Sequence, residues 1–241
     1  MAELILPRVF ECKTGKYKNY NGRPKLSYSQ YKSWKSNYRN DYIKQYFCGL
    51  KLPDSIWART GNDAGEYIEW RGNGMIDPRP KSIILKQNSF DNIDNAELID
   101  YPENCVYEDQ IVVDCGDFVV EGYTDRTRYF LKNNSVHIRD YKTGNISKKA
   151  DYYASDDYQQ LQLYGLGKQQ ENYNVEQIEV VMLHRKGNGS EKSPIHLTGE
   201  TLLIPLEYSK DKALSLLDDM SKVAKEISDV YKTYLKYFNN G

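Results

Sequence analysis

Ser135-Val136-His137-Ile138-Arg139-Asp140-Tyr141-Lys142 decides how this chain is read. Its apolar residues recur at every second position, the period of a β-strand, so Val136, Ile138, Asp140 and Lys142 share one face. A carboxylate and an ammonium therefore continue the line of two core-facing aliphatic residues. Charged groups turned inward are costly unless they are paired or bound to a metal ion. Such a strand end is where a site belongs, although an Asp-x-Lys triplet by itself equally suits an edge strand whose last residues face water. Thr143-Gly144-Asn145 then closes the strand.

Working upstream, residues 111–114 and 117–123 read as strands that meet at a Cys115-Gly116 turn, and residues 131–134 form the next turn. Gly122-Tyr123-Thr124-Asp125-Arg126 ends the strand before 135–142. Antiparallel pairing of 117–125 with 135–142 brings Asp125 near the second strand, with its register against Asp140 left open. Two carboxylates close together repel, and a divalent cation with hard oxygen ligands relieves that repulsion. The alternative is a plain hairpin in which Asp125 pairs with Arg126 or Arg128.

Elsewhere the sequence predicts a first helix over 27–48, capped by Ser27 or Ser29. Tyr28, Tyr31, Trp34, Tyr38 and Tyr42 recur there at helical spacing among Lys32, Lys35, Arg39 and Lys44. A second helix covers about 56–70, a Gly/Pro loop 71–82, and an acidic irregular stretch with at most one short strand 83–110. A helix follows at about 156–171, then a strand in the second half of 174–185, one or two strands within 196–206, and a closing amphipathic helix. Leu214, Leu217, Met220, Ala224, Ile227, Tyr231 and Tyr234 line one face of that helix. The expected fold class is α/β (α+β), a central mixed β-sheet flanked by helices. One domain is expected over 1–241, with a basic helical segment at 1–60, a core at 105–205 and the closing helix at 208–238.

The chain has 241 residues, a net charge of -1 and a mean hydropathy of -0.76. No apolar run approaches the roughly 20 residues of a membrane helix, and the amino terminus lacks a secretory pattern, so a cytoplasmic location without membrane contact is expected. The four cysteines form no CxxC pair, which argues against a zinc ribbon. Residues 1–60 carry 12 Lys+Arg against 4 Asp+Glu, and residues 61–120 carry 4 against 13. A basic front and acidic middle suit a nucleic-acid track beside a cation-collecting site, or a chance division of solvated surface. The 22 tyrosines, with frequent Asn and Lys, fit an AT-rich coding sequence such as those of phages and mobile elements.

Two acids and an amine at strand ends suit phosphodiester hydrolysis, where attacking and leaving oxygens both need charge stabilisation. Gly122-Tyr123-Thr124-Asp125, then Asp140-Tyr141-Lys142, then Gln160-Leu161-Gln162-Leu163-Tyr164 resemble, in order and spacing, the motifs of the PD-(D/E)XK nuclease superfamily. The resemblance is to its RecB-type and phage-exonuclease branch. It implies a restriction-endonuclease-like core in which Asp125 and Asp140 hold the metal, Lys142 is the catalytic lysine, and Gln160 and Tyr164 border the site. The family's upstream G-x-x-x-(H/E) is matched by Gly65 to Glu69, which nominates Glu69 as a further metal ligand, with Glu66 as the alternative. The resemblance further implies Mg²⁺ or Mn²⁺, one or two ions, and DNA as partner; Lys32, Lys35 and Arg39 of the basic first helix, with Arg126, are the candidate DNA contacts. With no cysteine after Cys115, the iron–sulfur cluster of some relatives is not expected. With no P-loop, any motor or recombination partner is a separate chain. The expected activity is a metal-dependent DNA exonuclease of phage or mobile-element type, acting in replication, recombination or DNA degradation. The rivals are a structure-specific or restriction-like endonuclease and an inactive DNA-binding protein.

Overall fold

The computed structural model describes residues 3–76 and 84–238, so positions 77–82 of the expected loop lie outside the described residues. In chain order the elements are β1 (Lys25–Leu26), α1 (Tyr28–Lys35), α2 (Arg39–Tyr42), α3 (Ile56–Gly72), α4 (Gln87–Asp94), β2 (Cys105–Asp114) and β3 (Val119–Phe130). There follow β4 (Ser135–Gly144), α5 (Ile146–Ala154), α6 (Gln160–Gln170), β5 (Asn174–Lys186), β6 (His196–Leu206) and α7 (Lys210–Phe238). The class is the expected one, a mixed sheet flanked by helices. The chain divides into two compact units. One takes the described residues of Met1–Pro53, Gln110–Gly122 and Ser209–Gly241; the other takes those of Asp54–Asp109 and Tyr123–Tyr208.

The second unit carries the sheet that matters for function. β3 pairs antiparallel with β4, β4 parallel with β5, and β5 antiparallel with β6. A parallel neighbour demands a crossover, and α5 and α6 supply it between β4 and β5. Tyr141 of β4 and Val181 and Leu183 of β5 face one side, where they pack with Ala64, Tyr67 and Ile68 of α3 and Phe90 and Ile93 of α4. Alternation sends Val136, Ile138, Ile178, Val180 and Met182 to the other side, and all five are fully buried. Each such aliphatic residue contributes roughly 1.5–3 kcal/mol by leaving water.

Three departures from expectation have local causes. The stretch 83–110 holds α4, despite a sequence (QNSFDNID) with few helix formers. Phe90 stacks on Tyr67 at 4.7 Å, and Asp94 accepts from the Tyr67 hydroxyl at 2.8 Å and the Arg71 Nε at 3.0 Å, so tertiary contacts outweigh propensity. The helix expected over 156–171 starts only at Gln160, because Ser155 turns the chain: its Oγ accepts from Asp157 N and its carbonyl from Tyr158 N. A separate helix, α5, precedes that turn. Gly72 ends α3 rather than opening a loop, and it lies so close under the Tyr107 ring that a Cβ there would stand 2.2 Å from ring carbons.

In the first unit, β1 pairs parallel with Val119 and Val120 of β3. Ser27 caps α1 with a full capping box to Gln30, but the helix stops at Lys35 instead of reaching 48. Ser36 is extended, and the chain restarts as α2 and a wide turn over Ile43–Phe47. Trp34 packs on Tyr42 at 5.2 Å, so most of the aromatics expected on the first helix are core, while Tyr38 stays exposed. The buried face of α7 is Ala213, Leu216, Met220, Val223, Ala224 and Ile227. Leu214, expected in that stripe, is exposed.

Candidate active site

The ladder between β3 and β4 runs from Phe130↔Ser135 to Arg126↔Arg139. One further step of the same register sets Asp125 opposite Asp140, and residues directly opposite in an antiparallel pair project to the same face. The Tyr141 N–H that follows donates to the Asp125 carboxylate Oδ2 at 2.5 Å. The structure thus answers the question of register that the sequence left open.

Asp140 is 1% exposed. The Lys142 ammonium lies 2.5 Å from its Oδ2, and the Tyr158 hydroxyl donates to the same oxygen at 2.9 Å. Burial, and then the Asp140 charge, push the Asp125 carboxyl up to about 8, while the Lys142 ammonium and the Tyr141 N–H pull against that rise. Burial opposes the charge on Lys142, but Asp140 and Asp125 outweigh it and hold the amine well above its ordinary value. The site therefore resists holding both carboxylates ionised, since one lysine answers only part of their charge in a poorly solvated place.

Gln160 and Tyr164, at the start of α6, stand on this same side. Gln160 Nε2 donates to the Tyr164 hydroxyl at 2.5 Å, and its Oε1 accepts from the Tyr158 hydroxyl at 3.3 Å. Tyr158, which the sequence did not single out, thereby links the α6 pair to Asp140. Its only advance signal was its place just ahead of the Gln160 motif. The Tyr158 hydroxyl is held far above its usual range by burial and by Asp140.

A cleft of about 580 Å³ opens onto Asp125 and Lys142. One stripe of α3 lines it, Trp57, Gly61, Gly65 and Glu69, spaced four apart, with Glu66 beside them. The half-buried Glu69 has its carboxyl raised by burial and then by the Glu66 charge. Glu108 lines the cleft too, raised by burial and then by Glu69 and Asp140. It was missed because nothing local marks it. Its φ of 50° is in the left-handed region, rare for glutamate, while its neighbour Asp109 is tied to Lys168 at 2.8 Å and to the Tyr129 hydroxyl at 2.6 Å.

The expected DNA-contact residues fare differently. Arg126 is 4% exposed, and its guanidinium is spent on the Asp100 carboxylate at 2.7 Å, so it has no face for a phosphate, and that expectation is withdrawn. Lys35 and Arg39, in the first unit, are met by α7 carboxylates: Asp219 at 2.6 Å and Glu226 at 3.6 Å. Lys32 is exposed.

Among the described residues, no three His, Cys, Asp or Glu side chains already converge on one point where a metal would sit. The donor chemistry nevertheless fits a divalent cation. Asp125 and Asp140 supply hard oxygens side by side, and a Mg²⁺-type ion uses one or two carboxylates, completing its shell with water and phosphate. The arrangement of partners supports that fit: Lys142 lies against Asp140, while Asp125 takes a backbone N–H from Tyr141 and would gain its counter-charge from a cation.

No curated protein matches the chain. A solved structure titled "Putative exonuclease" from Eubacterium rectale shares the fold, with a TM-score of 0.52 at 11% sequence identity, covering 86% of this chain and 82% of that one. The model of the PD-(D/E)XK nuclease superfamily matches residues 88–234, more than half the chain and the whole span from Glu108 through Tyr164. The chain belongs to the PD-(D/E)XK nuclease superfamily.

Proposed function

We propose that this nuclease is a metal-dependent deoxyribonuclease acting from DNA ends. Asp125 and Asp140 would hold Mg²⁺ or Mn²⁺, with Glu69 as a further ligand from α3. The bound ion would lower the pKa of a water and neutralise phosphate charge. Lys142, charged and beside Asp140, orients the attacking water or stabilises the extra negative charge of the transition state. Gln160 and Tyr164 border the reacting phosphate and, through Tyr158, keep Asp140 in place. The observation that carries this reading is that Asp125 and Lys142 line one cleft while the buried Asp140 holds Lys142 from beneath at 2.5 Å. The preference for ends over internal sites rests on the resemblance of the motifs to the exonuclease branch, and the Eubacterium rectale protein is likewise named an exonuclease.

Digestion of end-labelled linear DNA, single- and double-stranded, with free and blocked ends, tests this together with a circular single strand. Products released from free ends, with the circle left whole, are expected in Mg²⁺ or Mn²⁺. Opening of the circle would favour an endonuclease on the same fold.

A further inference from the structure

Trp57 stands in the first turn of α3, 41% exposed and lining the cleft. The Arg185 guanidinium lies over its ring, 4.2 Å from the centroid. Arg185 follows the last residue of β5 that pairs with β4, at Gly144↔His184. Arg139, on the neighbouring strand β4, has both Glu179 and Asp100. Among the described residues, no acceptor takes the Arg185 N–H groups. A guanidinium held over an indole by its π face leaves N–H donors available to a phosphate.

The floor between this pair and the acids is bare. Gly61 and Gly65 occupy the two α3 positions that separate Trp57 from Glu69, and a Cβ on Gly65 would meet nothing within 4 Å. Twelve residues of helix put Trp57 about 18 Å from Glu69, the length of a few nucleotides of strand. A cleft that is acidic at one end and aromatic at the other, with a guanidinium against that aromatic ring, fits a strand whose backbone passes Lys142 and whose outer base leaves the duplex.

We propose that Trp57 and Arg185 form a subsite for one unpaired nucleotide, the base on the indole surface that Arg185 leaves open and the adjoining phosphate on the guanidinium. The preferred substrate is then single-stranded DNA or a frayed end. This rests on the nuclease reading above and adds the strandedness of the substrate.

The test is fluorescence anisotropy in EDTA, where cutting is stopped, with two labelled probes of equal length and charge: a thymidine oligonucleotide and one whose sugars lack bases. Wild-type protein binds the thymidine strand about tenfold more tightly. Trp57→Ala brings that ratio close to one, and Trp57→Phe keeps most of it, which separates lost stacking from lost folding. Arg185→Gln weakens both probes by the same factor and lowers the slope of log affinity against log salt by about one. A Trp57→Ala protein that keeps the wild-type ratio, or an Arg185→Gln protein with unchanged affinity and slope, overturns the subsite. Digestion of the thymidine strand by wild type in Mn²⁺ distinguishes the two failures. Cutting without base preference removes the subsite and leaves the nuclease, whereas neither binding nor cutting removes both.

Discussion

Lys142 Nζ lies 2.5 Å from Asp140 Oδ2, two residues apart on one strand face, with Asp140 almost wholly out of water. The pair is a balanced arrangement only while both members remain. Removing the amine leaves a buried carboxylate with a single neutral donor, the Tyr158 hydroxyl.

Lys142→Met should therefore abolish cleavage and also lower the stability of the metal-free protein, by about 2–4 kcal/mol. Asp140→Asn should abolish cleavage at smaller cost, because the Lys142 side chain it leaves behind is 26% exposed and still has Asp125 nearby. The double variant should lose less stability than the sum of the singles. Urea unfolding in EDTA, with cleavage assayed in parallel, checks all three.

The Asp125 carboxyl, raised to about 8, gives a direction to pH dependence. Its folded pKa is above its unfolded value, so the folded protein holds the extra proton. Stability of the metal-free protein is then greatest at low pH and is lost progressively as pH rises from about 4 towards 8. A cation must displace that proton, so its affinity should climb by up to about tenfold per pH unit below 8 and then level off. Mn²⁺ should raise Tm more at pH 8 than at pH 6, and Asp125→Asn should flatten both trends. Thermal melts with and without Mn²⁺ across this range measure them.

Tyr158→Phe removes one hydroxyl and its hydrogen bonds to Asp140 and Gln160. A modest stability cost of about 0.5–1.5 kcal/mol is expected. Cleavage should fall chiefly in kcat, with KM for DNA little changed, because the hydroxyl steadies Asp140 rather than touching substrate. Steady-state kinetics on a labelled oligonucleotide would show the split; an unchanged kcat would leave Tyr158 a packing residue.

Three glutamates border the cleft, and their surroundings rank them. Glu69→Gln, at the proposed further ligand, should raise the Mn²⁺ concentration needed for half-maximal cleavage the most, Glu108→Gln less, and Glu66→Gln least, since Glu66 is exposed while Glu69 is half-buried in the cleft lining. Metal titrations of the cleavage rate give the order directly.

Much of this was legible in the chain because it is local. Alternation along 135–142 told which residues share a face with Asp140, and four-residue spacing joined Gln160 to Tyr164. What escaped was fixed at a distance. Glu108 enters the cleft through a left-handed backbone that no spacing encodes, and Arg126 is drawn inward by Asp100, 26 residues away in sequence. Lys168 gives no polar face to α6 because Asp109 and Glu171 neutralise it inside the fold, where it is fully buried. In α7 the run Leu214-Ser215-Leu216-Leu217 offers two hydrophobic stripes one residue apart, and only packing chose the one through Leu216.

Crystals soaked in MnCl₂ and measured at the manganese absorption edge test the central claim most directly. An anomalous peak within bonding distance of both the Asp125 and Asp140 carboxylates, absent from Asp125→Asn crystals, is predicted. Manganese bound elsewhere, with those two carboxylates unoccupied at saturating metal, would contradict it.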